Sequence, residues 1–227
     1  MERGLYIAAS GMLAEQARQD LISHDLANAS TPGYKADRTT TKSFSEMLLR
    51  DASSGQPIGA LGLGARIDKQ VTDLTPGPLR ETGEPLDFAI QGEGFFAVQG
   101  KNGVRYTRDG QFQVSARGDL VTTNGDAVLG AGGRPVRVGD DGTVAGNEIG
   151  VTQLDAAKRA GENLFTGTAR GASKATVRVG ALEGSAVDPI TTMADMLGSL
   201  RAFEAGQRVI TTIDATLSKA ANQVGAL

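Results

Sequence analysis

The stretch from 188 to 224, DPITTMADMLGSLRAFEAGQRVITTIDATLSKAANQV, decides how the rest of the chain is read. Asp188 and Pro189 open it as a helix should open. A carboxylate can take the unpaired amide hydrogens of the first turn, and proline's missing N–H is not needed at the first helical position. No proline follows, and apolar residues recur at threes and fours: Met193, Leu197, Leu200, Phe203, then Ile210, Ile213, Leu217, Ala220 and Val224. This predicts one long helix from Ile190 to Val224, about 50 Å at ~1.5 Å per residue. Its second half carries the heptad seam of a coiled coil. Gly206-Gln207 interrupts that seam and reads as a stutter or as a contact with something non-helical.

Residues 5–29, at the opposite end of the chain, share the pattern. Leu5, Ala9, Met12, Leu13, Gln16, Leu21, Ile22 and Leu26 recur at helical spacing, with Glu15, Arg18, Gln19 and Asp25 on the other side. Ser30-Thr31-Pro32-Gly33 stops the helix, because a residue before proline avoids the helical region and Gly33 tolerates a left-handed turn. A helix with a single apolar face is stable only when that face is covered. The two ends are therefore expected to pack on each other and on further copies of the chain, and to be poorly ordered in isolation. The competing expectation is an ordinary monomer whose two helices pack on the middle of the chain.

Between the ends the signals change. Phe44, Met47, Leu48 and Leu49 suggest a short helix or an extended arm. Ser53-Ser54-Gly55-Gln56-Pro57 and Gly59 to Gly64 read as loop. From Arg66 onward short apolar runs alternate with glycine turns: Arg66–Val71, Asp87–Ile90, Phe95–Val98, Val104–Thr107, Phe112–Val114, Leu120–Thr122, Val128-Leu129, Val136–Val138, Asp141–Val144 and Gly150–Thr152. Lys101-Asn102-Gly103 and Asn124-Gly125 are hairpin turns, since Asn-Gly supplies positive-φ positions. Strands every 8–12 residues or so argue for a small antiparallel β domain. Residues 153–176, rich in Ala, Gly and Thr, read as mostly loop, and Thr176–Val179 as one returning strand. The fold class is α+β, with N- and C-terminal helices forming a coiled coil and a central small antiparallel β domain. Its boundaries are 1–40 with 185–227 for the helical region, 41–64 for an arm, 65–152 for the β domain and 153–184 for a connecting segment.

Composition narrows the function. The 227 residues hold 31 glycines, 4% aromatics, one histidine and no cysteine, with a net charge of −3. Thiol chemistry, disulfides and zinc sites built on Cys or paired His are excluded, and no basic block suggests nucleic acid. Met1 to Ala8 and beyond hold no continuous apolar run, so no cleaved leader or membrane span is expected there. Gly92-Glu93-Gly94-Phe95-Phe96-Ala97 fits a nucleotide-binding fingerprint, but a strand follows it where a helix is required. Asp87 with Glu93 as a glycosidase pair, and His24 as a lone catalyst, lack supporting partners. The chain is read as a non-enzyme with no cofactor, metal or small-molecule substrate.

Three motifs carry a resemblance. Leu26-Ala27-Asn28-Ala29-Ser30-Thr31-Pro32-Gly33-Tyr34-Lys35 closely resembles the N-terminal signature of bacterial flagellar axial proteins, the rod and hook family. Gly83 to Val98, Tyr106-Thr107-Arg108-Asp109-Gly110-Gln111-Phe112 and Gly118–Val121 resemble its central β domain. Gly180–Ser185 and Arg201-Ala202-Phe203-Glu204-Ala205 resemble its C-terminal signature. The chain departs from the family pattern at His24-Asp25, Ala186 and Gly206, where asparagines are usual.

The resemblance implies a structural subunit of the basal-body rod, exported unfolded through the flagellar type III apparatus. Its partners would be copies of itself and other rod and hook proteins, and its terminal helices would form an inner tube that transmits torque. The residues expected to carry assembly are Leu5, Met12, Ile22, Leu26, Asn28 and Gly33, with Leu200, Phe203, Ile210, Ile213 and Leu217. A reading from another class is a carbohydrate- or surface-binding β module dimerised by its helices.

Overall fold

The computed structural model describes residues 2–43, 47–50, 57–61, 64–101, 103–139, 141–161 and 163–224. Phe44, the loop residues 53–56 and Asn102 lie outside them. The chain divides into two compact units.

The first unit holds residues 1–26, 37–71 and 189–227. Its helices are α1 (Glu2–Ala27) and α2 (Pro189–Val224). Its strands are β1 (Asp37–Ser43), β2 (Met47–Arg50), β3 (Pro57–Leu61) and β4 (Ala65–Thr72). β1 pairs with β4, and β2 runs antiparallel to β3. Residues 47–50 and 57–61 are thus paired strands, extended and not a short helix, and residues 59–61 are strand where loop is expected. None of the described helices is long and apolar enough to cross a membrane.

Burial along α2 corrects the phase of the sequence stripe. The positions of 189–222 that are not exposed are Thr192, Met196, Ser199, Phe203, Gly206, Ile210, Ile213 and Leu217, an unbroken alternation of four and three. On α1 Leu5, Ala8, Met12, Glu15, Gln19, Ile22 and Leu26 follow the same spacing, within a wider covered face that also holds Ala9, Ser10, Gly11, Ala14, Leu21 and Asp25. The two rows meet antiparallel. The Ser199 hydroxyl donates to Glu15 Oε2 at 2.7 Å. A Cβ at Gly206 would lie 2.8 Å from Met12 Cγ, and one at Gly4 would lie 3.4 Å from Ile213 Cδ1. Gly206 therefore does not interrupt the seam and does not face something non-helical. It belongs to the seam, and its missing side chain makes room for Met12. The row Met193, Leu197, Leu200 falls outside the seam, because polar or small residues at Thr192, Ser199 and Gly206 mask the true period.

The second unit holds residues 27–36 and 72–188. Its strands are β5 (Leu79–Glu81), β6 (Phe88–Gln91), β7 (Phe95–Gly100), β8 (Gly103–Thr107), β9 (Phe112–Val114), β10 (Leu120–Thr122), β11 (Ala127–Val128), β12 (Val151–Arg159), β13 (Leu164–Ala172), β14 (Thr176–Val179) and β15 (Ala181–Glu183). Seven of them form an antiparallel sheet in the order β12-β13-β8-β7-β11-β10-β9. Because β12 also pairs with β7, four strands close into a ring. β14 pairs with β6, and β15 with β5. Phe88, Ile90, Phe96, Val98, Phe112, Leu120 and Val128 lead the core. Phe96 meets Phe112 edge-on at 5.3 Å, a favoured aromatic geometry.

Two expectations fail here. Residues 153–172 are not loop but most of a long hairpin, with register from Thr152↔Ala172 to Arg159↔Phe165. Its apolar signal is weak for two reasons. Breaks in register between Gln153/Leu154 and Asp155/Lys158 disturb the alternation, with Ala156 at φ 51°. Residues 166–172 also face solvent, so backbone pairing rather than burial holds them. Val136–Val138 and Asp141–Val144 form no strand: the first makes only isolated bridges nearby, Asp119↔Arg137 and Leu129↔Pro135.

Candidate functional site

The turn after α1 is built on its own backbone. The Asn28 carbonyl accepts from the Thr31 amide at 3.1 Å, and Asn28 Oδ1 accepts from the Thr31 hydroxyl at 3.1 Å. Gly33 takes φ +65°, and a Cβ there would come within 2.3 Å of the Arg108 carbonyl group. Both the conformation and the close approach require glycine. Its amide donates to the Glu183 carbonyl at 2.8 Å, and the Tyr34 carbonyl accepts from the Ala186 amide at 2.9 Å. The chain's way out of α1 is thus stitched to its way into α2.

Side chains from the hairpin complete the seat. Asn163 Nδ2 donates to the Pro32 carbonyl at 2.9 Å. The Arg159 guanidinium donates to the Lys35 carbonyl and lies 4.6 Å over the Tyr34 ring. Tyr34 is left 2% exposed.

Below this turn lies a buried charge cluster. Lys35 is 0%, Glu183 1% and Arg108 2% exposed. Lys35 Nζ donates to Glu183 Oε1 at 2.5 Å and to the Thr75 carbonyl at 2.6 Å. Arg108 Nη1 donates to Glu183 Oε2 at 2.7 Å, and Nη2 to the Gly92 carbonyl at 2.7 Å. The Gly77 amide adds a further bond to Glu183 Oε1 at 2.8 Å. One carboxylate thus faces two cations, and the Thr75 and Gly92 carbonyls take further donors, while Arg108 Nε is buried with no hydrogen-bond partner. Burial pushes the Lys35 ammonium below its ordinary range. Glu183 draws it back up, while Arg108 pushes it further down. Removing one member of such a cluster costs far more than the intact cluster contributes.

The three residues come from the three motifs: Lys35 ends the N-terminal signature, Arg108 sits in Tyr106–Phe112, and Glu183 sits in Gly180–Ser185. All three motifs are visible in the sequence, but nothing in their spacing singles these residues out. The available signal was a lone charge set among small or apolar neighbours, as in Ala181-Leu182-Glu183-Gly184.

The expected assembly residues fall into three places. Leu5, Met12, Ile22 and Leu26 lie on the α1 row, and Phe203, Ile210, Ile213 and Leu217 on the α2 row, all half-buried or buried. Leu200 is 43% exposed, outside the seam. Asn28 and Gly33 belong to the turn on the β unit. Asp87 and Glu93 do not form a pair in any described contact. Among the described residues no group of three or more His, Asp or Glu is placed to hold a metal.

Comparison with known proteins places these motifs. Residues 5–35 match the family model described as flagella basal body rod protein, 89–153 that of the flagellar hook protein FlgE/F/G D1 domain, and 178–224 that of the flagellar basal body rod FlgEFG protein C-terminal region. The flagellar basal-body rod protein FlgG of Bacillus subtilis is 30% identical over 98% of this chain and 99% of its own. FlgF of Salmonella typhimurium is 32% identical over 94% and 95%, and the hook-basal body complex protein FlhO of B. subtilis 30% over 99% of both. With matches at both ends and in the middle, and relatives aligned along nearly their full length, the chain belongs to the flagellar basal-body rod protein family.

Proposed function

We propose that this chain is a structural, non-enzymatic subunit of the flagellar basal-body rod, whose paired terminal helices pack against those of neighbouring subunits as a coiled-coil inner tube. Family membership supports the rod assignment and does not favour the carbohydrate-binding module. One observation carries the helical part. With its seam to α1 filled, α2 still exposes Ile190, Met193, Leu197 and Leu200 at 80%, 53%, 56% and 43%. Large apolar residues lined up on one exposed helix face mark an interaction surface.

The partners are further copies of this chain and other rod and hook proteins, with export through the flagellar type III apparatus. Torque would then pass through many such helix contacts. Replacing Ile213 and Leu217 together by Asp is the test. Incorporation into rods and motility should be lost while the β unit still unfolds cooperatively. Normal rods from this variant would refute the reading.

A further inference from the structure

Residues 28–36 form neither helix nor strand, and the stretch that follows, 37–71, belongs to the other unit. Residues 31–36 are thus held by the β unit as a peptide is held by a receptor. The carbonyls of Pro32, Tyr34 and Ala36 accept from Asn163 Nδ2, the Ala186 amide and the Asp73 amide, each at 2.9 Å, and that of Lys35 from the Arg159 guanidinium. The Gly33 amide donates in turn to the Glu183 carbonyl at 2.8 Å. Three positions are read by what they carry. A Cβ at Gly33 would meet the Arg108 backbone, the Tyr34 ring lies buried under Arg159, and Lys35 Nζ is shut in between Glu183 and the Thr75 carbonyl. Main-chain bonds that supply affinity, with pockets for a few side chains that supply selectivity, are how proteins hold extended peptides.

We infer that the β unit is a receptor for the segment Thr31-Pro32-Gly33-Tyr34-Lys35, filled by the chain's own copy, and that it accepts the same segment from a second copy when its own is withdrawn. In the intact chain the tethered segment competes at an effective concentration on the order of mM, which keeps a free one out. An emptied seat keeps its selectivity, because Arg108 and the Gly77 amide still hold the Glu183 carboxylate in place. A peptide without a cation there leaves that carboxylate short of a partner, and a larger residue in place of glycine meets the Arg108 backbone. Exchange of the segment joins two copies through their β units, independently of the helices and of the rod-subunit reading.

Full-length Gly33→Val withdraws its own segment, since valine neither takes φ +65° readily nor clears Arg108. The probe is a fluorescein-labelled peptide of residues 29–38. Anisotropy should show saturable binding to this variant, at least about tenfold tighter than to the unaltered chain, whose seat is filled. The urea midpoint of the variant's β unit should rise with peptide concentration. Replacing Tyr34 by Ala or Lys35 by Met in the peptide should weaken binding at least about tenfold. Full-length Tyr34→Ala/Lys35→Met, which empties the same pockets without a backbone clash, should take up the native peptide as well. A variant that stays folded and ignores the peptide at about 1 mM would overturn the proposal, as would one that is unfolded and gains no cooperative transition from it. Equal binding of native and substituted peptides would also overturn it, because contact without recognition needs no seat. None of these readouts involves assembly, so the rod reading stands or falls separately.

Discussion

In the β unit Phe88, Phe96, Leu120 and Val128 are fully buried, and the charges of Lys35, Arg108 and Glu183 are shut in beside them. In the helical unit a 36-residue helix buries Ser199 while Met193 and Leu197 stay more than half exposed. The β unit has found its partners inside one chain. The helical unit has used its period-seven face on α1 and still presents apolar surface. In the β unit one buried carboxylate ties together two cations that come from distant stretches of the chain. A seam with Gly206 and Ser199 at its centre gives the helical unit a pairing geometry without a large hydrophobic gain.

Breaking the charge cluster should have the largest effect. Glu183→Gln leaves Lys35 and Arg108 buried without a counter-charge, and should cost the β unit about 3–5 kcal/mol in urea unfolding. Lys35→Met should cost less, about 1–3 kcal/mol, because Arg108 and Glu183 remain paired one to one. Equal losses from the two variants would mean that charge balance is not what matters there.

On the helical side, Gly206→Leu should overpack the seam against Met12 and lower helix stability by about 1–3 kcal/mol. Met12→Ala in the same chain should recover part of that loss. A double variant no better than the single would show that Met12 is not the obstacle.

The smallest effect concerns Asp109, whose carboxyl burial pushes above its ordinary value, helped by the nearby Asp87 charge. A raised carboxyl pKa means the folded state holds its proton more tightly, so this group's stabilising contribution is present at acid pH and lost as pH rises. Asp109→Asn should therefore stabilise the β unit at pH 7 by less than about 1 kcal/mol, and the gain should vanish below about pH 4. A gain that persists at acid pH would exclude the electrostatic cause.

Much of this architecture was legible in local sequence. Asp188-Pro189 does start α2, and the Phe95–Val98 and Val104–Thr107 runs become β7 and β8, paired across Gly100↔Gly103. What was hidden depends on distance or on small residues. The cluster joins residues 148 and 75 positions apart, and no periodicity records such a contact. The α2 seam runs through Thr192, Ser199 and Gly206, which carry no apolar signal, so the eye follows Met193, Leu197 and Leu200 to the wrong face. The β12–β13 hairpin is hard to see in the sequence because residues 166–172 face solvent and breaks in register disturb the alternation of β12.

Hydrogen exchange followed residue by residue, in the dilute chain and in assembled rods, tests the contrast between the two units most directly. Amides of β6 and β7 should exchange slowly and identically in both states, while those of α1 and of 190–217 exchange quickly in the dilute chain and become strongly protected on assembly. Terminal helices already as protected as β7 in the dilute chain, and unchanged by assembly, would contradict the account.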